Sequence, residues 1–261
     1  MKRFRILIAL GFFAAFAPPS FAEEPLLIFA GAASRPVLEE AFARYQKAYG
    51  QEVKAVYSGS GVVLSQMILS RQGDLYIPGS QDFMEKAESR KAVNPSTRRV
   101  LAYLFPAILV SQGNPEHIHG LSDLAKPGLR LAIGNPESVC LGVFAKRIFG
   151  NSPCEAAILK NVVSHGRSCE DVLTSLLMGR VDAIIGWSVF AEWENAKGKV
   201  QLVPLGKEAT GMSANIPAAV SAYSQQAEKA QRLLDFLSSA GRKIFAANGY
   251  EVEAPKVTGK P

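Results

Sequence analysis

Leu26-Leu27-Ile28-Phe29-Ala30-Gly31-Ala32-Ala33-Ser34 is an apolar run of buried-strand type that breaks at once into small and hydroxylated residues. Leu38, Ala41, Phe42, Tyr45 and Tyr49 then recur at helical spacing and give one face of an amphipathic helix. Residues 52–57 alternate, with Val53, Ala55 and Tyr57 on one side, and read as the next strand. Tyr57-Ser58-Gly59-Ser60-Gly61 repeats the small, hydroxylated junction before a helical segment over residues 62–69. A strand over residues 74–77 and a helix over residues 81–91 follow. Strands alternating with helices in this way predict an α/β fold whose sheets are mostly parallel.

The pattern restarts after Pro106. Residues 107–110, 129–133 and 161–163 read as strands, and residues 142–149 as a helix. Residues 169–178 are helical, with Val172, Leu173, Leu176 and Leu177 on the apolar face, and residues 182–185 are strand again. Past Pro204, a strand over residues 216–221 leads into a helix over residues 225–239 carrying Ala230, Leu233, Leu234 and Leu237. The junction returns in this half as Gly134-Asn135-Pro136-Glu137-Ser138-Val139-Cys140-Leu141-Gly142 and as His165-Gly166-Arg167-Ser168-Cys169.

These junctions have a chemistry of their own. A helix N-terminus leaves backbone N–H groups without intrahelical partners and carries partial positive charge. Serine there caps the helix or donates its hydroxyl to a bound anion, and small side chains let the backbone come close to a ligand. In open α/β sheets such junctions gather at the carboxyl ends of the strands, where ligands bind. Any single one is explained by capping and turn formation alone. Four together, two in each half, point to an anion site between two lobes.

Composition narrows the classes further. The chain has 261 residues, 48% hydrophobic and 20% charged, which excludes a disordered, collagen-like or coiled-coil protein. Lys2, Arg3 and Arg5 precede an apolar run from Ile6 to Phe16, and Ser20-Phe21-Ala22 supplies small residues for cleavage after Ala22. Residues 1–22 are therefore expected to be a secretory signal peptide, placing the mature protein in the periplasm. Losing those three basic residues lowers the net charge from +6 to +3. No Lys/Arg block remains to suggest nucleic acid.

Enzyme motifs find little support. Gly59-Ser60-Gly61 lacks the third glycine of a dinucleotide fingerprint, Leu64 standing there instead. Ser60 lacks the first glycine of a nucleophile elbow. Glu116, His117 and His119 lie in a Pro- and Gly-flanked loop with no converging fourth ligand, so no metal site is expected. Cys140, Cys154 and Cys169 all lie in the exported part, where disulfides are permitted, and one intrachain bridge involving Cys169 is expected.

On the strings Phe29–Ser34, Tyr57–Gly61, Gly73-Asp74-Leu75-Tyr76-Ile77, Ile133–Glu137 with Gly142, and Gly179-Arg180-Val181-Asp182-Ala183, the chain resembles periplasmic solute-binding proteins of the molybdate/tungstate uptake systems. The likeness covers nearly all of the mature chain. It implies a two-lobed, Venus-flytrap α/β fold, with residues 23–104 and 207–261 forming lobe I and residues 105–206 forming lobe II. It also implies a tetrahedral oxyanion as ligand, molybdate or tungstate, handed to the membrane permease of an ABC importer. A monomer without cofactor or catalytic residues is the corresponding expectation, with metal present only as part of the oxyanion.

By the same resemblance, the first two junctions would hold the oxyanion through Ser34 and Ser60, with Gly61 as a further amide. Lobe II would add the amide of Leu141 and a second amide, on Cys169 by a gapless count from Gly179 or on Val172 by matching Glu170-Asp171-Val172. A tyrosine of the family falls on Trp187, whose indole N–H can still donate. Cys140, a further candidate for ligand binding, stands where the family commonly has proline. Other ligands (sulfate, phosphate, ferric iron), a sensory binding module, and an exported thiol enzyme using Cys140 or Cys169 with His165 are the competing readings. The lobes are expected to close by a hinge near residues 104–106 and 204–215, where Pro106 and Pro204 lie.

Overall fold

The computed structural model describes residues 24–255. The signal peptide expected over residues 1–22 lies outside the described residues, as do residues 256–261.

From Leu26 the chain builds β1 (Leu26–Gly31), α1 (Arg35–Tyr49), β2 (Val53–Ser58), α2 (Ser60–Ser70), β3 (Leu75–Ile77), α3 (Gln81–Ser89) and β4 (Arg99–Leu104). Phe105 alone separates β4 from β5 (Pro106–Ser111). Then come β6 (Leu131–Gly134), α4 (Cys140–Gly150), α5 (Glu155–Lys160), β7 (Val162–Gly166), α6 (Cys169–Leu177), β8 (Ala183–Trp187) and β9 (Val200–Val203). The chain returns through β10 (Ala214–Val220) and ends in α7 (Ala227–Ser238) and α8 (Arg242–Ala247).

Two five-stranded sheets result, ordered β2-β1-β3-β10-β4 and β7-β6-β8-β5-β9. Each has the same plan. Strand β10 pairs antiparallel with β3 and β4, and β5 pairs antiparallel with β8 and β9, while the other ladders are parallel. One reversed strand thus interrupts each otherwise parallel sheet. The reversal is where the chain changes sheet, because β10 re-enters the first sheet and β5 enters the second.

Strand register is what aligns the junctions. Gly31 lies opposite Ser58 and Ala30 opposite Ile77, so β1, β2 and β3 end at one level. Gly134 lies opposite Gly166, so β6 and β7 end together as well. The helices that follow therefore begin side by side, with their N–H groups facing the seam between the lobes.

The apolar faces read from the sequence form the packing. Val37, Leu38, Ala41, Phe42 and Tyr45 of α1 are buried, as are Val172, Leu173 and Leu176 of α6 and Ala230, Leu233, Leu234 and Leu237 of α7. Tyr49 departs from its expected face and is 64% exposed, its ring 4.7 Å from that of Tyr45. It sits at the last position of α1, where Gly50 takes φ 73° and turns the chain away. Gly73, at φ 115°, has its α-carbon against the Phe29 ring, where a side chain would not fit.

Candidate functional site

The first junction seats Ser34 at the N-cap of α1, fully buried, with its Oγ lacking a hydrogen-bond partner. The turn carrying it packs against α6 of the other lobe. The second junction places Ser60 first in α2, also buried. Its Oγ accepts the Gly79 N–H at 3.0 Å, which leaves the hydroxyl hydrogen to be donated elsewhere. Two tyrosines brace these turns: Tyr76 Oη donates to the Ser60 carbonyl at 2.9 Å, and Tyr250 Oη to the Ala33 carbonyl at 2.7 Å. Burial pushes the ionisation of both phenols up, so they act here as neutral donors.

Lobe II faces them with the first turns of α4 and α6. Cys140 and Leu141 open α4, and Cys169 opens α6 behind the N-cap Ser168, whose Oγ accepts from the Asp171 N–H at 3.1 Å. At these positions the amides of Leu141 and Cys169 have no acceptor within their own helix. Val172, the alternative to Cys169, donates its N–H to the Ser168 carbonyl inside α6 at 3.3 Å, so the helix already uses that amide. Gly61 is likewise engaged: its N–H crosses the seam to the Ser138 carbonyl at 2.8 Å.

Trp187 ends β8, fully buried, with its ring 5.1 Å edge-on from Phe144. Its Nε1–H has no hydrogen-bond partner, and the indole lies near enough to the Cys140 and Cys169 sulfurs to favour negative charge on them. The two sulfurs stand 4.0 Å apart. The bridge expected for Cys169 is not made in this structure, and all three cysteines are thiols. Spacing in sequence could not bring Cys140 and Cys169 together. The pairing of β6 with β7 does.

Sequence reading missed the third junction, Pro78-Gly79-Ser80, although it repeats the strand, small residue, hydroxyl, helix pattern. The Ser80 Oγ is fully buried and without a partner. A Cβ on Gly79 would lie 2.7 Å from the Cys140 sulfur, so glycine is what admits the thiol. Tyr57, at the end of β2, adds another buried hydroxyl lacking a partner, its ionisation pushed up by burial.

Unpartnered buried polar atoms are rare in folded proteins. Among the described residues six side-chain atoms are of this kind, and four of them, Ser34 Oγ, Tyr57 Oη, Ser80 Oγ and Trp187 Nε1, lie at carboxyl ends of strands, the other two being Trp193 Nε1 and Asn215 Oδ1. Among the described residues, the buried polar side chains at these ends are serines, and the single buried charged residue, Asp74, sits before β3 at its opposite end. A crevice of neutral donors, backed by helix N-termini, can hold an anion through partial charges alone.

A family profile for bacterial extracellular solute-binding proteins matches residues 26–251. The chain belongs to that family. A Haemophilus influenzae protein with a generic binding-protein name is 29% identical over 86% of this chain and 90% of its own. The molybdate-binding protein ModA of Mycobacterium tuberculosis is 24% identical over 90% of this chain and 87% of its own. The periplasmic molybdate-binding protein of Azotobacter vinelandii shares the fold, with a TM-score of 0.74 over 88% of this chain and 100% of its own at 17% identity.

In this solute-binding protein two open clefts lie beside the junctions. One of about 560 Å³ is lined by Arg35, Glu39, Glu170 and Trp193 at the rim of the seam. Another of about 420 Å³ lies at the crossing between lobes, beside Phe105 and Ser188. The junctions themselves are closed over. Arg35 with Glu170 at 3.5 Å, and Arg147 with Asp82, tie the lobes across the rim. His165 is exposed, as are His117 and His119. No His, Cys, Asp and Glu group suited to a metal ion occurs among the described residues.

Proposed function

We propose that this solute-binding protein captures a tetrahedral oxyanion, molybdate or tungstate, between its lobes in the periplasm and delivers it to the membrane permease of an ABC importer. The observation that carries the reading is the set of buried polar atoms without partners, Ser34 Oγ, Ser80 Oγ and Trp187 Nε1, beside the first-turn amides of α4 and α6, which have no acceptor in their own helices. Ser60 belongs with them, since its oxygen already accepts from Gly79 and only its hydrogen remains on offer. Fully ionised molybdate, tungstate and sulfate are acceptors only, and a donor-lined crevice suits them. A protonated phosphate would turn one of these hydroxyls from donor to acceptor, so it is expected to bind more weakly.

The solute-binding family and the relatives named for molybdate support this reading. Against an exported thiol enzyme stands the absence of a base at the sulfurs: His165, the histidine nearest in sequence, is exposed. Titration calorimetry of the dialysed mature chain with molybdate, tungstate, sulfate and phosphate is the test. One-to-one binding of molybdate and tungstate, with weaker binding of sulfate and of phosphate, is expected. Silence from all four would remove the ligand, and phosphate binding as tight as molybdate would remove the donor-only account of the crevice.

A further inference from the structure

We propose that Cys140 and Cys169 are a reversible dithiol–disulfide pair in the floor of the cleft, and that closing the bridge returns the cleft's donors to the oxyanion. The second clause rests on the proposed function for its ligand; the first does not. Both sulfurs belong to lobe II, each on the first residue of a helix, and the helices start side by side because β6 and β7 end level. They stand 4.0 Å apart, and both residues are 2% exposed. A bond of about 2.05 Å needs the two sulfurs to approach by roughly 2 Å. Cys154, by contrast, is half-buried at the N-cap of α5.

The two thiols are not equivalent. Cys140 has its ionisation lowered, first by its contact with the Cys169 thiol and then, against the opposing effect of burial, by the Ser60 hydroxyl, the Leu141 N–H and the Trp187 indole. Cys169 has its ionisation pushed up, contact with the Cys140 thiol and burial being the main causes. Tyr76 from β3 and Tyr250 from the C-terminal segment also face the pair, and both are neutral phenols. Arg35 and Glu170 pair with each other at the rim. Once ionised, the Cys140 sulfur would face Ser60, Leu141 and Trp187, the donors assigned to the oxyanion. There it would compete with a dianion for them and repel it. A disulfide is neutral and accepts weakly, so the same donors become free.

The oxidant is a second disulfide, from an exported protein disulfide or from glutathione disulfide in the test tube. The Cys140 thiolate attacks one of its sulfurs, expels the other as a thiolate and leaves a mixed disulfide. Cys169 then loses its proton and attacks the Cys140 sulfur, which forms the bridge and expels the second thiolate. Two electrons pass to the reagent, whose two sulfurs leave as thiols with the Cys169 proton and one from water. Both sulfurs are buried while the lobes touch, so the exchange needs them apart.

The test uses the mature chain, reduced with a phosphine and then exposed to glutathione disulfide, with and without molybdate. Peptide mapping is expected to find Cys140 joined to Cys169, Cys154 open to alkylation, and slower bridging when molybdate is present. The reduced form is expected to bind molybdate more weakly as pH rises through the Cys140 ionisation, while the bridged form stays level, and calorimetry above that ionisation should show the bridged form about tenfold tighter, a size usual for coupled sites. Three alkylated thiols after oxidation, or a bridge through Cys154, would overturn the pair. Equal molybdate affinity in the two forms would overturn its coupling to the site. A mapped bridge with no oxyanion bound by either form would remove the ligand, and with it the coupling, and leave the bridge standing.

Discussion

Ser34 is the N-cap of α1 and Ser60 the first residue of α2, and their hydroxyls have different surroundings. The Ser34 Oγ is buried without a partner, so the folded chain bears its desolvation with no return. Ser34→Ala is expected to leave the melting temperature unchanged or raised, while molybdate affinity falls about tenfold, one hydrogen bond to an anion being worth roughly 1.5 kcal/mol or more. Ser60 also accepts from the Gly79 N–H, so Ser60→Ala is expected to cost about 1 kcal/mol of stability as well as affinity. Calorimetry beside thermal melts separates the two. A Ser34→Ala protein that melts lower and binds as before would show that the hydroxyl serves the fold. Both serines were legible in the sequence because small and hydroxylated residues after an apolar run mark a helix start. Ser80 was not, since Pro78 masks the strand's end, and the meeting of Cys140 with Cys169 depends on a strand pairing that no local pattern encodes.

At the scale of elements, the sequence showed the strand–helix alternation and most helix faces, because burial on one side imposes its period on the residues. It did not show β4, α5, β9 or α8. Helices α5 and α8 have six residues each, too few for a helical period to repeat. The seam is another matter of element geometry. Gly59, the N-cap of α2, lies in ordinary extended backbone at φ −57°, ψ 141°, so alanine suits its conformation. A Cβ there would nevertheless stand 2.5 Å from the Arg167 carbonyl oxygen and 2.8 Å from that of Ser138, both backbone atoms of lobe II. Gly59→Ala is expected to fold with each lobe intact, hold the lobes apart, and lose at least about tenfold in molybdate affinity, since closure is what brings the lobe II amides to the anion. Retained affinity would mean that the lobes need not meet at this glycine when the anion is bound.

For the whole molecule, the question is what holds the lobes together. The rim ion pairs are weak candidates. Arg35 and Glu170 have side chains 46% and 33% exposed, and Arg147 and Asp82 are 50% and 25% exposed. Pairs of this kind are worth about 0–1 kcal/mol each and less in salt. One backbone hydrogen bond, from Gly61 to Ser138, adds about as much. An oxyanion contacting Ser34 and Ser60 from one lobe and Leu141 and Cys169 from the other would join the halves through several charge-assisted bonds, each stronger than a neutral one. The anion, rather than the rim, should therefore decide closure. Two consequences are measurable on the mature chain. Arg35→Ala combined with Arg147→Ala is expected to lower molybdate affinity by only a few-fold, the deficit shrinking as salt is raised. Small-angle scattering is expected to give a smaller radius of gyration with molybdate than without it, in the wild type and in the double variant alike. Were the radius to stay fixed on adding molybdate, the crossings at Phe105 and between β9 and β10 would not act as a hinge. Were only the double variant to stay open, closure would belong to the ion pairs, and the anion's part would be confined to filling the crevice.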